Sequence, residues 1–279
     1  MTYASSLLSS SASLGAILAA MALVSLLEAV LPLRARGRWS RLHLGANLAL
    51  TALSFATYAL LGGALVVALA WLEARGFGLL PWLALPPPLE VFAAVAALDL
   101  ATWSAHVSMH AWPGLWRFHR VHHSDPAVDV TTTLRQHPGE SLIRFAFLGA
   151  AATALGASPA AYAIYRAASA LNGLLEHANL RVPPRLDALL SLVVATPNMH
   201  KVHHSRAPHE TDTNYGNLFS LFDRVFSTFT PSRRGPSVAY GLEGFDEPAS
   251  QTVLGLLSLP FRGGKSGVRA AARLAGRRG

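Results

Sequence analysis

Eight of the twelve histidines in the chain fall into three spaced groups, and they are the residues best able to do chemistry. His106 and His110 are one helical turn apart. His119, His122 and His123 form H-x-x-H-H, and His200, His203 and His204 form it again. On a helix, positions i, i+3 and i+4 share a face, so each trio can turn its imidazoles toward one point. The trios also repeat their neighbours, His119-Arg120-Val121-His122-His123-Ser124 against His200-Lys201-Val202-His203-His204-Ser205. A structural zinc takes about four ligands and a catalytic zinc about three, so eight patterned histidines imply two metal ions. The chain has no cysteine, which excludes disulfides, thiolate sites and cysteine nucleophiles and leaves nitrogen or oxygen to hold a metal. Imidazole suits iron, zinc, copper and nickel. Two redox metals beside apolar segments, without a carboxylate pair at the same spacing, favour iron and oxygen activation on a lipid over hydrolysis. His43 and His209 stand apart from the groups and read as interfacial anchors.

The elements that must position these groups are apolar. Hydrophobic residues make up 52% of the chain and charged ones 14%, against roughly a quarter charged in soluble domains. Residues 14–33 are apolar apart from Ser25 and Glu28, matching the ~20 residues that cross a bilayer. Arg34, Arg36, Arg38 and Arg41 follow, which puts that end in the cytoplasm and the N-terminus outside. Apolar stretches 48–72 and 91–107 cross and return, and the shorter 142–155 and 160–175, broken at Gly156 and Pro159, read as a re-entrant hairpin or two tilted spans. Every dense histidine group thereby reaches the cytoplasmic face. The expected architecture is all-α: an integral membrane bundle of about four spans plus the re-entrant hairpin, with a cytosolic helical cap carrying the histidines. Its divisions are N-terminal transmembrane segments over 1–90, a histidine-bearing domain over 91–230, and a basic, partly disordered tail over 231–279. The net charge of +8 comes from short loops beside apolar segments rather than a basic face interleaved with aromatics, which argues against nucleic acid as a partner.

At these residues the sequence resembles the fatty acid hydroxylase/sterol desaturase superfamily, whose pattern is H-x(3–4)-H, H-x(2–3)-H-H and a third H-x(2–3)-H-H. All three boxes match in order. Further phrases match too: Arg135-Gln136-His137-Pro138, His177-Ala178-Asn179, Asn214-Tyr215-Gly216 and Phe222-Asp223-Arg224, so that the resemblance covers 99–230. It implies a four-helix membrane enzyme with two iron ions under a cytosolic cap, hydroxylating or desaturating an acyl, sterol, sphingoid, ether-lipid or carotenoid substrate. By position it implies His106, His110, His119, His122, His123, His200, His203 and His204 as iron ligands, with His177 as a ninth. Relatives take a tenth from one turn before; here that position is Gly173, next to Asn172, and His137 is the alternative, as a ligand or as a histidine ordering its loop.

Ligating histidines pass their other N–H to a carboxylate or carbonyl. Asp223, and Asp99 two turns before His106, are nominated for that task, with Glu140, Glu176, Glu210 and Asp212 behind them. No G-x-G-x-x-G fingerprint follows a strand-like segment, so electrons must come from a ferredoxin or a small haem protein with its reductase. Arg117, Arg120, Lys201 and Arg206 read as a basic rim for docking that carrier. The substrate would enter a cavity among the apolar helices laterally from lipid. Composition rich in Ala, Leu and Arg points to a bacterial inner membrane. Two other classes stay open: a zinc-dependent lipid hydrolase or inactive scaffold of the same fold, which metal content distinguishes, and a membrane metal transporter, which would carry its ligands in mid-span.

Overall fold

Proline is the commonest helix opener in this chain. It occupies the first helical positions of six helices, where its fixed φ suits the helix and its missing N–H costs nothing. The computed structural model describes residues 3–35 and 37–262, with side chains described outside 3–14 and 38–41. Among these residues there are eight α-helices of seven or more residues: α1 (Tyr3–Val30), α2 (Arg38–Glu73), α3 (Pro87–Ala111), α4 (Pro113–His123), α5 (Pro138–Leu155), α6 (Pro159–His177), α7 (Pro184–Leu190) and α8 (Pro197–His203). Shorter helical turns and loops fill the rest, and the only β pairing among the described residues is in isolated bridges. The expected all-α class is observed.

Two helices are long and apolar enough to cross a membrane, Leu42–Glu73 in α2 and Pro87–Ala111, and 15–30 in α1 forms a shorter apolar segment. Helices α5 and α6, 18 and 19 residues long and interrupted by Arg144, Arg166 and Glu176, each pack against α3. The chain turns between them at Gly156, whose φ of 64° lies in the left-handed region, and a Cβ there would overlap the Phe77 carbonyl oxygen. Leu65 and Leu69 of α2, Leu98 of α3, Leu148 and Ala152 of α5, and Tyr162 and Tyr165 of α6 form the main apolar cluster. The outer face of α2 is apolar too, with Leu60 79% and Val67 69% exposed. Glu28, the acid within the first apolar stretch, is buried and accepts from the backbone N–H groups of Val130 and Asn179, which fastens α1 to the loops on either side of the histidine groups.

Two expectations change. His43 is fully buried, and its Nδ1 lies 2.8 Å from Asp125 Oδ1. It is not an interfacial anchor, because the loop after α4 closes over this end of α2. Of the expected tail, 231–262 packs onto the domain: Leu256 and Leu259 join Leu50 and Val121, and Gln251 accepts from Arg135 and donates to the Ser124 carbonyl. Residues 263–279, Arg36 and the side chains of Arg38 and Arg41 lie outside the described residues.

Candidate metal centre

Short helices α4 and α8 carry one H-x-x-H-H each, and the turn after α3 points His106 and His110 toward them. The nine histidines collect into two buried groups, His106, His110, His119, His123 and His203 in one, His122, His177, His200 and His204 in the other, with ring nitrogens within 4.8 Å of one another in each. The partition crosses the helices. On α4, His119 and His123 serve the first group and His122 the second; from α8, His200 and His204 serve the second and His203 the first. Each trio therefore gives its i and i+4 members to one group and its i+3 member to the other.

The ring nitrogens facing inward are bare acceptors. His106 Nδ1 lies 2.8 Å from the Tyr215 carbonyl oxygen, His203 Nδ1 2.8 Å from that of Thr213, and His177 Nδ1 2.7 Å from that of Gly173. A carbonyl only accepts, so the proton sits on Nδ1 and leaves Nε2 a lone pair. His119 Nδ1 is held likewise by Glu140 Oε1 at 2.9 Å, and His110 Nδ1 faces Asp212 Oδ1 at 3.3 Å. Yet Nε2 of His119 is 3.1 Å from Nε2 of both His106 and His123, and Nε2 of His177 is 3.1 Å from that of His122 and 3.0 Å from that of His200. His106 and His119 both carry the proton on Nδ1, so their Nε2 lone pairs face each other at 3.1 Å and repel unless a cation lies between them. Two nitrogens about 2.1 Å from one ion and at right angles across it stand ~3.0 Å apart. His203 Nε2 and both ring nitrogens of His204 are buried without a hydrogen-bond partner. Burial holds His119, His122, His123, His200, His203 and His204 well below the usual imidazole pKa, in the neutral form a metal binds. The donor set fits two metal ions.

His137 lies in neither group. It caps α5, its Nδ1 accepting from Gly139 N–H and its Nε2 3.3 Å from the Leu257 carbonyl oxygen. Gly173 contributes only its carbonyl, and Asn172 donates to the carbonyls of Ala195 and Asn217. Asp99 and Asp223 contact no ligand imidazole among the described residues. Asp99 accepts from the backbone of Leu218 and Phe219, and Asp223 from Trp103 Nε1 and the backbone of Tyr215 and Gly216, so both brace the loop whose Tyr215 carbonyl holds His106. Direct contacts come instead from the acids ranked behind them, Glu140 and Asp212. Glu176 is buried, its Oε1 3.9 Å from His200 Nε2 and its Oε2 unpartnered. Glu210 pairs with Arg234 and Ser205.

The basic rim does not form as expected. Lys201 is fully buried, donates to the Ala178 carbonyl, and is pushed down to about 7 by burial. Arg120 donates to the carbonyls of Leu259 and Arg262, Arg206 pairs with Asp246, and Arg117 is exposed. Both trio cations are turned inward because their helix faces opposite the histidines are covered by chain. Sequence reasoning missed the network that fixes α4 against α2. Asp125 binds His43, Asn47 and Thr132, while the fully buried Arg135 reaches Asn47, Ser124 and the Val121 carbonyl. Burial alone would raise the Asp125 pKa, but Arg135 and His43 outweigh it and hold the carboxylate ionised.

A cavity of about 110 Å³ touches both groups at His106, His122, His177 and His200 and runs toward α2, α5 and α6, where Tyr58, Arg144 and Arg166 line it.

A family profile described as Fatty acid hydroxylase matches residues 91–228. The chain is 31% identical over 178 residues to Ornithine lipid hydroxylase OlsE of Rhizobium tropici, covering 63% of this chain and 51% of that protein. It is 31% identical over 160 residues to Alkylglycerol monooxygenase of Caenorhabditis elegans, covering 56% of this chain and 30% of that one. To the Homo sapiens Alkylglycerol monooxygenase it is 28% identical over 174 residues, 62% of this chain and 36% of the relative. It thus spans about half the length of the first and about a third of the others. No solved structure matches the chain.

Proposed function

Because the chain belongs to the fatty acid hydroxylase superfamily through residues 91–228, we propose that it is a membrane-bound di-iron oxygenase that hydroxylates a C–H bond of a lipid. The observation that carries this reading is the pair of adjacent all-histidine groups, five and four, opening on one cavity. Hydroxylation is favoured over desaturation because the relatives named above are a hydroxylase and monooxygenases. His106, His110, His119, His123 and His203 would hold one iron and His122, His177, His200 and His204 the other, with the Glu176 carboxylate standing where a tenth donor is needed. Bound iron would supply the reductive activation of dioxygen. In the overall reaction one oxygen atom enters the C–H bond and the other leaves as water, with two protons and two electrons from a carrier protein, a ferredoxin or small haem protein.

The chain's own residues do three things. Carbonyls of Tyr215, Thr213 and Gly173 and the Glu140 carboxylate fix the imidazole tautomers. Buried Val121, Met199 and Val202 pack around α4 and α8 and keep bulk water from the ligands. The cavity positions one substrate carbon beside the two groups. Helices α2 and α3 would lie in the bacterial inner membrane, and the arginine-rich 34–41 loop favours a cytoplasmic site.

The test is metal analysis of the purified chain together with ¹⁸O₂ labelling of membrane lipids. The reading expects about two irons per chain and a lipid carrying one labelled oxygen, both lost in a His203→Ala, His204→Ala double variant. Zinc alone, or no label in any lipid, would overturn it in favour of a hydrolase or an inactive scaffold.

A further inference from the structure

The cavity that touches both histidine groups is not the wall expected for an acyl tail. Tyr58, Gln136, Ser169 and Asn217 line it with hydroxyl and amide groups, and two guanidinium groups face it, Arg144 from α5 and Arg166 from α6. The cavity volume is about 110 Å³. The two arginines differ. Arg144 donates from Nε to Glu140 Oε1 at 2.9 Å, so its charge is matched. Arg166 has no acidic partner among the described residues and rests only over the Tyr58 ring, 4.8 Å from its centroid. It is half-buried on a helix of mostly apolar residues, where an unmatched guanidinium points to a ligand of opposite charge. The lining contains one carboxylate, Glu176, and it stands on the metal side beside His177 and His200.

We infer that the Arg166 side of this cavity is a headgroup subsite: the substrate is a lipid bearing an anionic group, carboxylate or phosphate, that pairs with Arg166. The inference rests on the hydroxylase reading and adds the substrate class to it. A guanidinium offers paired donors matched to either anion. Arg166 and His177 stand on the same helix about 16 Å apart along its axis, so an anion paired with Arg166 is held at the end of the cavity away from the histidines.

The experiment uses the metal-loaded full chain in nanodiscs and four short-chain probes: an N-acyl-ornithine lipid, its methyl ester, a phosphatidic acid and an alkylglycerol. At least one anionic probe should bind about tenfold or more tightly than the neutral ones, since a charge-assisted contact is lost in the ester and the alkylglycerol. Arg166→Met should remove that preference while metal content stays at the parent level, and Arg166→Lys should keep part of it. Equal affinity for acid and ester, or a preference that survives Arg166→Met, would overturn the inference. If oxygen is incorporated without any anion preference, this inference fails and the hydroxylase reading stands. If the preference holds but no label is incorporated, the hydroxylase reading fails instead.

Discussion

For His106, His110, His119, His177 and His203, which nitrogen is free for a metal is decided by groups outside the two clusters. Glu140 has the largest part in this, since one oxygen, Oε1, accepts from His119 and also from Arg144. Glu140→Gln keeps the shape but removes the charge that strengthens the His119 N–H contact. It should lower metal affinity about 10- to 100-fold, as loss of such outer partners does elsewhere, measured by competition with a chelator. Asp246→Asn, in the exposed pair with Arg206, should leave it unchanged. The ligand histidines were legible in the sequence because i, i+3 and i+4 spacing is local information. Their acid partners were not. Asp99 and His106 share a helix face, yet Asp99 stands two turns deeper and meets the 218–219 backbone, whereas Glu140 and Asp212 arrive from other segments by tertiary folding.

At the scale of elements, the apolar stretches 142–155 and 160–175 become α5 and α6, and 48–72 and 91–107 fall inside α2 and α3. Apolar runs with Gly and Pro breaks are enough to find helices. What periodicity could not give is the contact between α4 and α2, because it runs through a buried ionic network whose members lie about eighty residues apart. Asp125→Ala would leave Arg135 buried without its counter-charge and His43 with Asp129 alone, at 3.4 Å. Breaking one partner of such a set costs about 3–5 kcal/mol, so a large drop in melting temperature in detergent is expected. Gly156→Ala should also destabilise, by at least about 1–3 kcal/mol, because the left-handed φ and the Phe77 carbonyl both exclude a side chain. A Gly114→Ala control, where a Cβ meets nothing, should not.

At the scale of the molecule, runs of exposed apolar side chains lie along α1 and α2 and at Leu189, Leu190, Leu192, Val193, Leu221 and Val225. Patches of that extent on a soluble monomer would be unusual, and a bilayer would cover both. The chain should therefore stay with membranes through alkaline carbonate washing and leave only in detergent; release by carbonate would contradict the membrane placement.

The exchange of one histidine between α4 and α8 has a consequence for how the centre fills. Since neither short helix serves a single group, the first metal ion to bind would draw in the backbones that a second requires, and losing either would loosen both. Under limiting iron, native mass spectrometry should therefore record empty and doubly occupied molecules side by side, with the singly occupied species scarce.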